Sequence, residues 1–543
     1  MPGTPSTCRL LEFPSGEVHE FHNFGIQAQD WRLTRMRDRF GNRVDLTYGA
    51  TTWQLTDTHG RTQTIRFVGP DGSYKKVLSV ELTKFGGGSP AVTTFSYRSQ
   101  TIERHGFTAT PCDSGTVTVD LLDRMVHPDG SFWEADYYVS DDSGDAISGA
   151  LQRLRIPTGG ALAWTYQQIE FPSQDPQLFG PDPVRIAYGV AQRELFENAN
   201  DVTPIGTWQY AFKTVGVDLP RAPGDSFIPC HHRTTVSDPL GNDTVSYFTS
   251  SYALHRWSYG LPFTRCNPSY SATGPFLSQE LYEGSAQTGA KVRSIFVEYE
   301  SDGRDGGEHQ EKNHRIVYRK TVYHDDGDRF REVRFSDFDG LGHYRTATTG
   351  GNFGSGNVRA ATTDFNPTRG TLTVLDPETS QLGGDFQIPG PSSPWVLGTF
   401  TESRVTEAGQ TAIEEFCFDT TTGFLARHRT LAGASRANGD LLQVMTPAAT
   451  GHVATELFYG GDAQGAMDNV YANLCDMSLA GLDAQYQLEH TWAHGSLETS
   501  SWIDPCDSAL ELLAVDNFID QETGFVSVSR DPAGVATIYD STR

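Results

Sequence analysis

Hydrophobic and polar positions alternate along most of this chain with a period of two, in short runs broken by turns that end in glycine. Pro14-Ser15-Gly16-Glu17-Val18-His19-Glu20-Phe21 is one such unit, and Asp38-Arg39-Phe40-Gly41-Asn42-Arg43-Val44-Asp45-Leu46-Thr47-Tyr48 is a fuller one. The phrase returns at Pro128-Asp129-Gly130-Ser131-Phe132-Trp133, at Pro157 to Tyr166 around Gly159, and at Asp238 to Tyr247 around Gly241. A period of two sends alternate side chains to opposite faces of a strand. Pro presets the turn, Gly or Asn supplies positive φ, and alternating Val, Thr and Tyr fill the strands, so each unit predicts a β-hairpin. One hairpin cannot bury its apolar face alone; the units must stack side by side into a long sheet. The predicted class is all-β, a long antiparallel hairpin-repeat sheet.

The clearest neighbouring units are Asp38-Arg39-Phe40-Gly41 and Asp57-Thr58-His59-Gly60, 19 residues apart and followed by runs that close on Tyr48 and Phe67. That interval holds two short strands and two turns. The rhythm continues through Lys84-Phe85-Gly86-Gly87-Gly88-Ser89-Pro90, read as a loop, and Ala91 to Tyr97, read as a strand. Ser140 to Asp145 predicts a polar turn, and residues 172–184 and 301–308 predict exposed loops. Pro389-Gly390-Pro391-Ser392-Ser393-Pro394 is the most linker-like stretch. The expected organisation is a β-sheet segment over 1–388, a linker at 389–394, and a continuation of the same sheet over 395–543 with one or two short helices. Asp507 to Val515 and Ala466 to Leu474 are the helix candidates.

Composition adds limits. With 543 residues, 55 Gly, 21 Tyr, 31 Phe and only 6 Met, the chain suits β structure rich in tight turns. A hydrophobic share of 37% fits a thin sheet facing water on one or both sides. No run reaches the roughly 18 apolar residues of a membrane-spanning helix, and the first 30 residues show no export leader. The net charge of −26, spread along the chain, argues against nucleic acid as a partner, since phosphate binding needs a Lys/Arg face. It favours solubility of an exposed sheet, or attraction of a basic partner. Seven scattered cysteines with no C-x-x-C signal neither a disulfide framework nor a zinc site. They read as small buried hydrophobes in a chain folded under reducing conditions.

The turns Asp-x-x-Gly-Asn…Tyr, Pro-Thr-Gly-Gly…Trp-Thr-Tyr and Asp-Pro-Leu-Gly-Asn…Tyr-Phe resemble those of the RHS/YD-repeat family. So do Ser336 to Tyr344 around Gly342, Cys417 to Leu425 around Gly423, Phe458-Tyr459-Gly460-Gly461-Asp462, and Asp520 to Phe525 around Gly524. Ser529 to Gly534 and the final Tyr539-Asp540 complete a resemblance that runs over essentially the whole chain. It implies a β-sheet that spirals into part of a hollow shell. In bacterial members, including the cocoon-forming parts of Tc toxin complexes, the shell encloses a cytotoxic polypeptide, and teneurins carry a related shell. The partners it implies are the remaining RHS repeats and an enclosed toxin polypeptide. It also implies secretion, or delivery to a target cell by a dedicated system. Such shells end in an aspartyl self-cleaving core and a variable toxin, neither of which is matched here, so the expectation is a segment of a longer, non-catalytic wall. The residues expected to carry it are architectural: Gly16, Gly41, Gly60, Gly130, Gly159, Gly241, Gly342, Gly423 and Gly524 in turns, with Tyr48, Tyr166 and Tyr247 closing strands.

Candidate chemistry is sparse. There is no phosphate-binding G-x-x-x-x-G-K-[ST], no G-x-G-x-x-G after a strand and no G-x-S-x-G elbow. Gly350 to Gly356 lacks the phosphate-binding lysine and reads as a turn. Cys230-His231-His232 suggests a metal by composition, yet neighbours on a strand face opposite ways. Asp325-Asp326-Gly327-Asp328 lacks the glutamate of a calcium loop and reads as a solvated turn. Asp337, Asp339 and His343 could form an acid–base cluster, but Asp in such a turn more often caps its own backbone. No cofactor and no metal is expected. The nine Trp and many Tyr fit cross-strand packing; the alternative they leave open is an extracellular protein binding carbohydrate or another surface. A polysaccharide-acting enzyme would need two convergent carboxylates about 5–10 Å apart, which the sequence neither shows nor excludes.

Overall fold

A computed structural model describes residues 8–13, 15–23, 31–68, 76–104, 115–139, 148–171, 185–213, 231–249, 276–300, 315–353, 358–376, 381–390, 395–460 and 473–539. Strand accounts for 64% of the described residues. Among the described residues thirty-two strands form one antiparallel sheet that does not close into a barrel. From Cys8–Glu12 to Ala536–Ile538, each strand of this sheet pairs with the next one along it, as at Arg43–Tyr48 with Thr52–Asp57 and Asp243–Thr249 with Phe276–Glu283. The single interruption is a small separate hairpin, Leu372–Asp376 with Gln381–Gly384, set between the paired strands Arg359–Phe365 and Phe400–Glu407. Such a meander is what alternating patterning and tight turns such as Asp38 to Asn42 produce, and longer connections, such as the one from Thr249 to Phe276, join neighbouring strands as well.

The ribbon is one layer thick, and its burial is correspondingly slight. Among the described residues only twenty apolar side chains are buried, spread from Val18 to Met477. The densest packing lies under Gln410–Phe418, Leu425–Thr430 and Leu441–Pro447, where Leu442, Tyr459, Leu474 and Met477 meet Cys417. Here the cysteine expectation fails, because Cys417 forms a disulfide with Cys475, 58 residues away. Spacing along the chain concealed it; a strand end and a short 3-10 turn at Leu474–Asp476 bring the two together. Cys8 and Cys506 are free thiols and neither is buried, so they are not core hydrophobes.

The helix expected at Asp507 to Val515 is also overturned. Those residues open the strand Asp507–Ile519, bonded to Ser496–Asp504 on one side and Val526–Arg530 on the other. A nine-residue helix is poorly nucleated on its own, whereas both flanking strands offer ladder partners. The candidate at Ala466 to Leu474 lies outside the described residues except for Asn473 and Leu474. Also outside them are Pro14, the turn at 140–145 (in part 140–147), the loops at 172–184 and 301–308, Gly354 to Gly356, Pro391 to Pro394, Asp540, Cys112, Cys230 and Cys266.

Candidate functional site: the seam between coils

Turns build the two long edges of the ribbon, and in several of them an opening aspartate sets the shape. In Asp38 to Asn42 the Oδ1 of Asp38 accepts from Phe40 N and Asn42 N, both at 2.9 Å, and Asn42 Nδ2 donates to its Oδ2 at 2.7 Å. Asp57, Asp238 and Asp531 repeat the pattern on the same edge, and Asp339 uses it on the opposite one. A longer variant appears at Asp419 and Asp520, whose carboxylates take the next two amides and the hydroxyl of Thr422 or Thr523. Carboxylates fully engaged by their own backbone are fixed struts. These bonds hold Asp238, Asp419 and Asp520 below the usual carboxylate range.

The nine turn glycines singled out in the sequence all have φ between 65° and 116°. At Gly41 and Gly241 a β-carbon would meet nothing within 4 Å, so the backbone conformation alone selects glycine there. Gly451 and Gly524 differ. A β-carbon on Gly451 would come within 2.5 Å of the Phe40 ring, and one on Gly524 within 2.7 Å of Phe85. Gly423 is likewise covered by the Arg39 guanidinium and Val396.

These contacts join parts of the chain that are remote in sequence. Asn42 Nδ2 donates to Thr450 O at 3.1 Å across 408 residues, and Trp395 N donates to Glu12 Oε1 at 2.8 Å across 383. Gly86 N donates to Gln521 O at 2.6 Å, Lys84 pairs with Glu522 at 2.7 Å, and Phe85 packs on His494 with centroids 4.3 Å apart. The early members, Phe40 and Phe85, sit in turns at one edge of the ribbon; the late members, Gly451, His494 and Gly524, sit in turns at the opposite edge. One edge of the first coil therefore abuts the other edge of a later coil. The ribbon winds back on itself, and aromatic tips fill the hollows left by glycine.

Of the tyrosines expected to close strands, Tyr48 does so, whereas Tyr166 lies in the middle of Ala161–Phe171 and Tyr247 two residues short of the end of Asp243–Thr249, because ladder partners continue beyond each of them. Tyr48 Oη donates to Leu33 O at 2.5 Å, Tyr166 Oη to Leu151 O at 2.8 Å, and Tyr137 Oη to Leu122 O at 2.8 Å, each across 15 residues. In all three the accepting carbonyl adjoins a bulge. Thr34, Gln152 and Asp123 are each skipped by the pairing of the preceding strand. A bulge breaks the ladder locally, and the tyrosine hydroxyl supplies a donor at the break. Burial pushes all three phenols up, against the pull of Arg32 at Tyr48 and of Arg98 at Tyr137. Tyr247 is built otherwise: its hydroxyl donates to buried Glu280 at 3.1 Å, which also accepts from Tyr282 and Lys291.

Asp339 and His343 do meet, with His343 Nδ1 2.9 Å from Asp339 Oδ2, but Asp337 does not join them. Asp339 also accepts from Leu341 N, His343 N and Asn366 Nδ2, and both Asp339 and Asn366 are completely buried. Burial alone would raise this carboxyl; the bonds from His343, Leu341 and Asn366 outweigh it and hold it at about 2. The cluster ties the Asp339–His343 turn to the segment carrying the small hairpin, where Leu372 N donates to Asp339 O at 2.8 Å. Arg429 and Asp440 form a second buried knot, 2.6 Å apart, beside Met477. Asp440 also accepts from Ala432 N and Ala437 N. Asp325, Asp326 and Asp328 lie on an exposed turn, His324 pairing with Asp328 and Arg329 with Asp326. Among the described residues no group of His, Cys, Asp and Glu is placed to hold a metal.

Comparison with known proteins gives one kind of likeness. No protein-family model matches the chain, and no curated protein matches it in sequence. Among solved structures, it resembles a chain in the Photorhabdus luminescens Tc holotoxin pore carrying a TccC3 mutation, at 9% identity and a TM-score of 0.37. That match covers 100% of this chain and 36% of the other. A crystal structure of TcdB2–TccC3 matches at 10% identity and a TM-score of 0.15, covering 96% of this chain and 30% of that one. The chain thus spans about a third of the length of the chains it resembles.

Proposed function

We propose that this chain is a structural wall: a coiled hairpin ribbon that forms part of a hollow RHS/YD-type shell around an enclosed polypeptide, with no catalytic role of its own. The observation that supports it is the seam. A single-layer sheet whose opposite edges meet after some 408 residues makes a continuous curved surface with two faces and little interior. Fixed Asp turns and tyrosine-capped bulges stiffen such a surface. A shell of this kind acts outside the cell that makes it or inside a target cell, and the Cys417–Cys475 disulfide suits an oxidising route.

The test is a cargo-protection assay on a longer protein containing this segment. Enclosed polypeptide should resist protease, and Phe40→Asp at the seam should expose it. Equal protection in both would remove the wall reading.

One observation favours a second reading, a surface that binds glycans. A shallow groove of about 790 Å³ on the sheet face is bordered by Tyr138, Trp164, Arg153, Glu194 and Gln100, a mixture of aromatic and planar polar groups suited to sugars. Silence across a glycan array would remove it.

A further inference from the structure

The edge that carries Phe40 and Phe85 extends beyond the turns that the seam covers. Phe40 and Phe85 are covered, but farther along the same edge lie the turns at His127 to Ser131, Ile156 to Gly160 and Asp238 to Asn242. The last is built like the docked turn. Asp238 Oδ1 accepts from Leu240 N and Asn242 N at 2.8 Å, and Asn242 Nδ2 donates to Asp238 Oδ2 at 3.1 Å. Gly241 has φ 83° where Gly41 has 93°. Leu240 therefore occupies the position of Phe40, and Asn242 that of Asn42. Their surroundings differ, for Phe40 is half-buried against Gly451, whereas Leu240 is 86% exposed. On the preceding turn of the same edge Val202 is 92% exposed and Ile205 62%. An apolar knob held in a rigid turn, repeated along an edge that is elsewhere an interface, is a docking feature left open.

We propose that the edge around Leu240 docks a further length of antiparallel hairpin ribbon whose turn presents glycine with positive φ to Leu240 and a backbone carbonyl to Asn242. The occupant follows from continuity with the seam. Phe40 sits on Gly451 while Asn42 donates to Thr450 O, so the same turn asks for the same counterpart. A hairpin with any larger residue at that position has no hollow for the knob. The proposal rests on the wall reading and adds the rule by which coils recognise one another.

The probe is a backbone-cyclised hairpin of residues 441–460, which carries the Gly451 turn. It is added to the full chain bearing Leu240→p-benzoylphenylalanine. Leu240 touches little, so that replacement leaves folding intact, and amide NMR of the peptide verifies its hairpin. Irradiation should cross-link the photoprobe to peptide residues beside Gly451, and a Gly451→Val peptide should lose about tenfold in yield. Equal yield from the two peptides, or none from either, overturns the proposal. Cross-links only between two copies of the chain would also overturn it, making the edge a self-association surface. The wall reading fails separately, through equal cargo protection in the native and Phe40→Asp proteins, so the two failures are distinguishable.

Discussion

The Phe40 ring lies over the bare α-carbon of Gly451, close enough that a β-carbon there would stand 2.5 Å from it. Gly41, one residue along from Phe40, faces open space instead. The two glycines share a positive φ but not a reason for it, and that contrast separates turn strain from seam packing.

Gly41→Ala should lower stability by about 1 kcal/mol through strain alone. Gly451→Ala adds displacement of Phe40 and should cost roughly 2–3 kcal/mol. Denaturant midpoints of the two variants check this, and equal losses would mean that the seam contributes nothing.

Tyr48→Phe and Tyr166→Phe should each destabilise the chain by about 1 kcal/mol, the worth of one hydroxyl donated to a bulge carbonyl. Gly60→Ala in either background should add its own cost independently, because the sites share no partner. Thermal melts of single and double variants measure both.

Asp339 has a folded pKa of about 2, below its ordinary value near 3.8. A depressed carboxyl contributes stability above its unfolded pKa and loses it as pH falls through the folded one. Roughly 2 kcal/mol should therefore be lost between about pH 4 and pH 2. Asp339→Asn should flatten that part of the acid-unfolding curve; an unchanged curve would show that Asp339 titrates normally.

Reducing the Cys417–Cys475 bond, or Cys417→Ser, should cost about 4 kcal/mol on the chain-entropy account of a loop of 58 residues. Comparison of melts with and without reductant, with thiol counting by mass spectrometry, checks it. A chain that shows only free thiols after oxidative refolding would remove the bond.

Much of the fold was written in local signals. Alternation and Asp-x-x-Gly turns specify hairpins because both act within a few residues, and the antiparallel sheet follows from their succession. Tyr48 is legible as a strand end, whereas Tyr166 is not one, and the bulges that both hydroxyls serve are hidden, since a bulge is a relation between two strands. The role of Phe40 is not visible in its own turn: nothing local tells it from Leu240, and only the winding brings Gly451 to one and not the other. Cys417 with Cys475, Arg429 with Asp440 and Asp339 with Asn366 were hidden for the same reason. The misread helix at Asp507 shows the reverse case, in which ladder partners on both sides decide the outcome.

Small-angle X-ray scattering on the whole chain and its Phe40→Asp variant tests the coiled wall most directly. A compact globule of this length would have a radius of gyration of about 24 Å. The account predicts a clearly larger value with the profile of a thin curved wall, increasing further when the seam is broken. A value near 24 Å that the substitution leaves unchanged would contradict it.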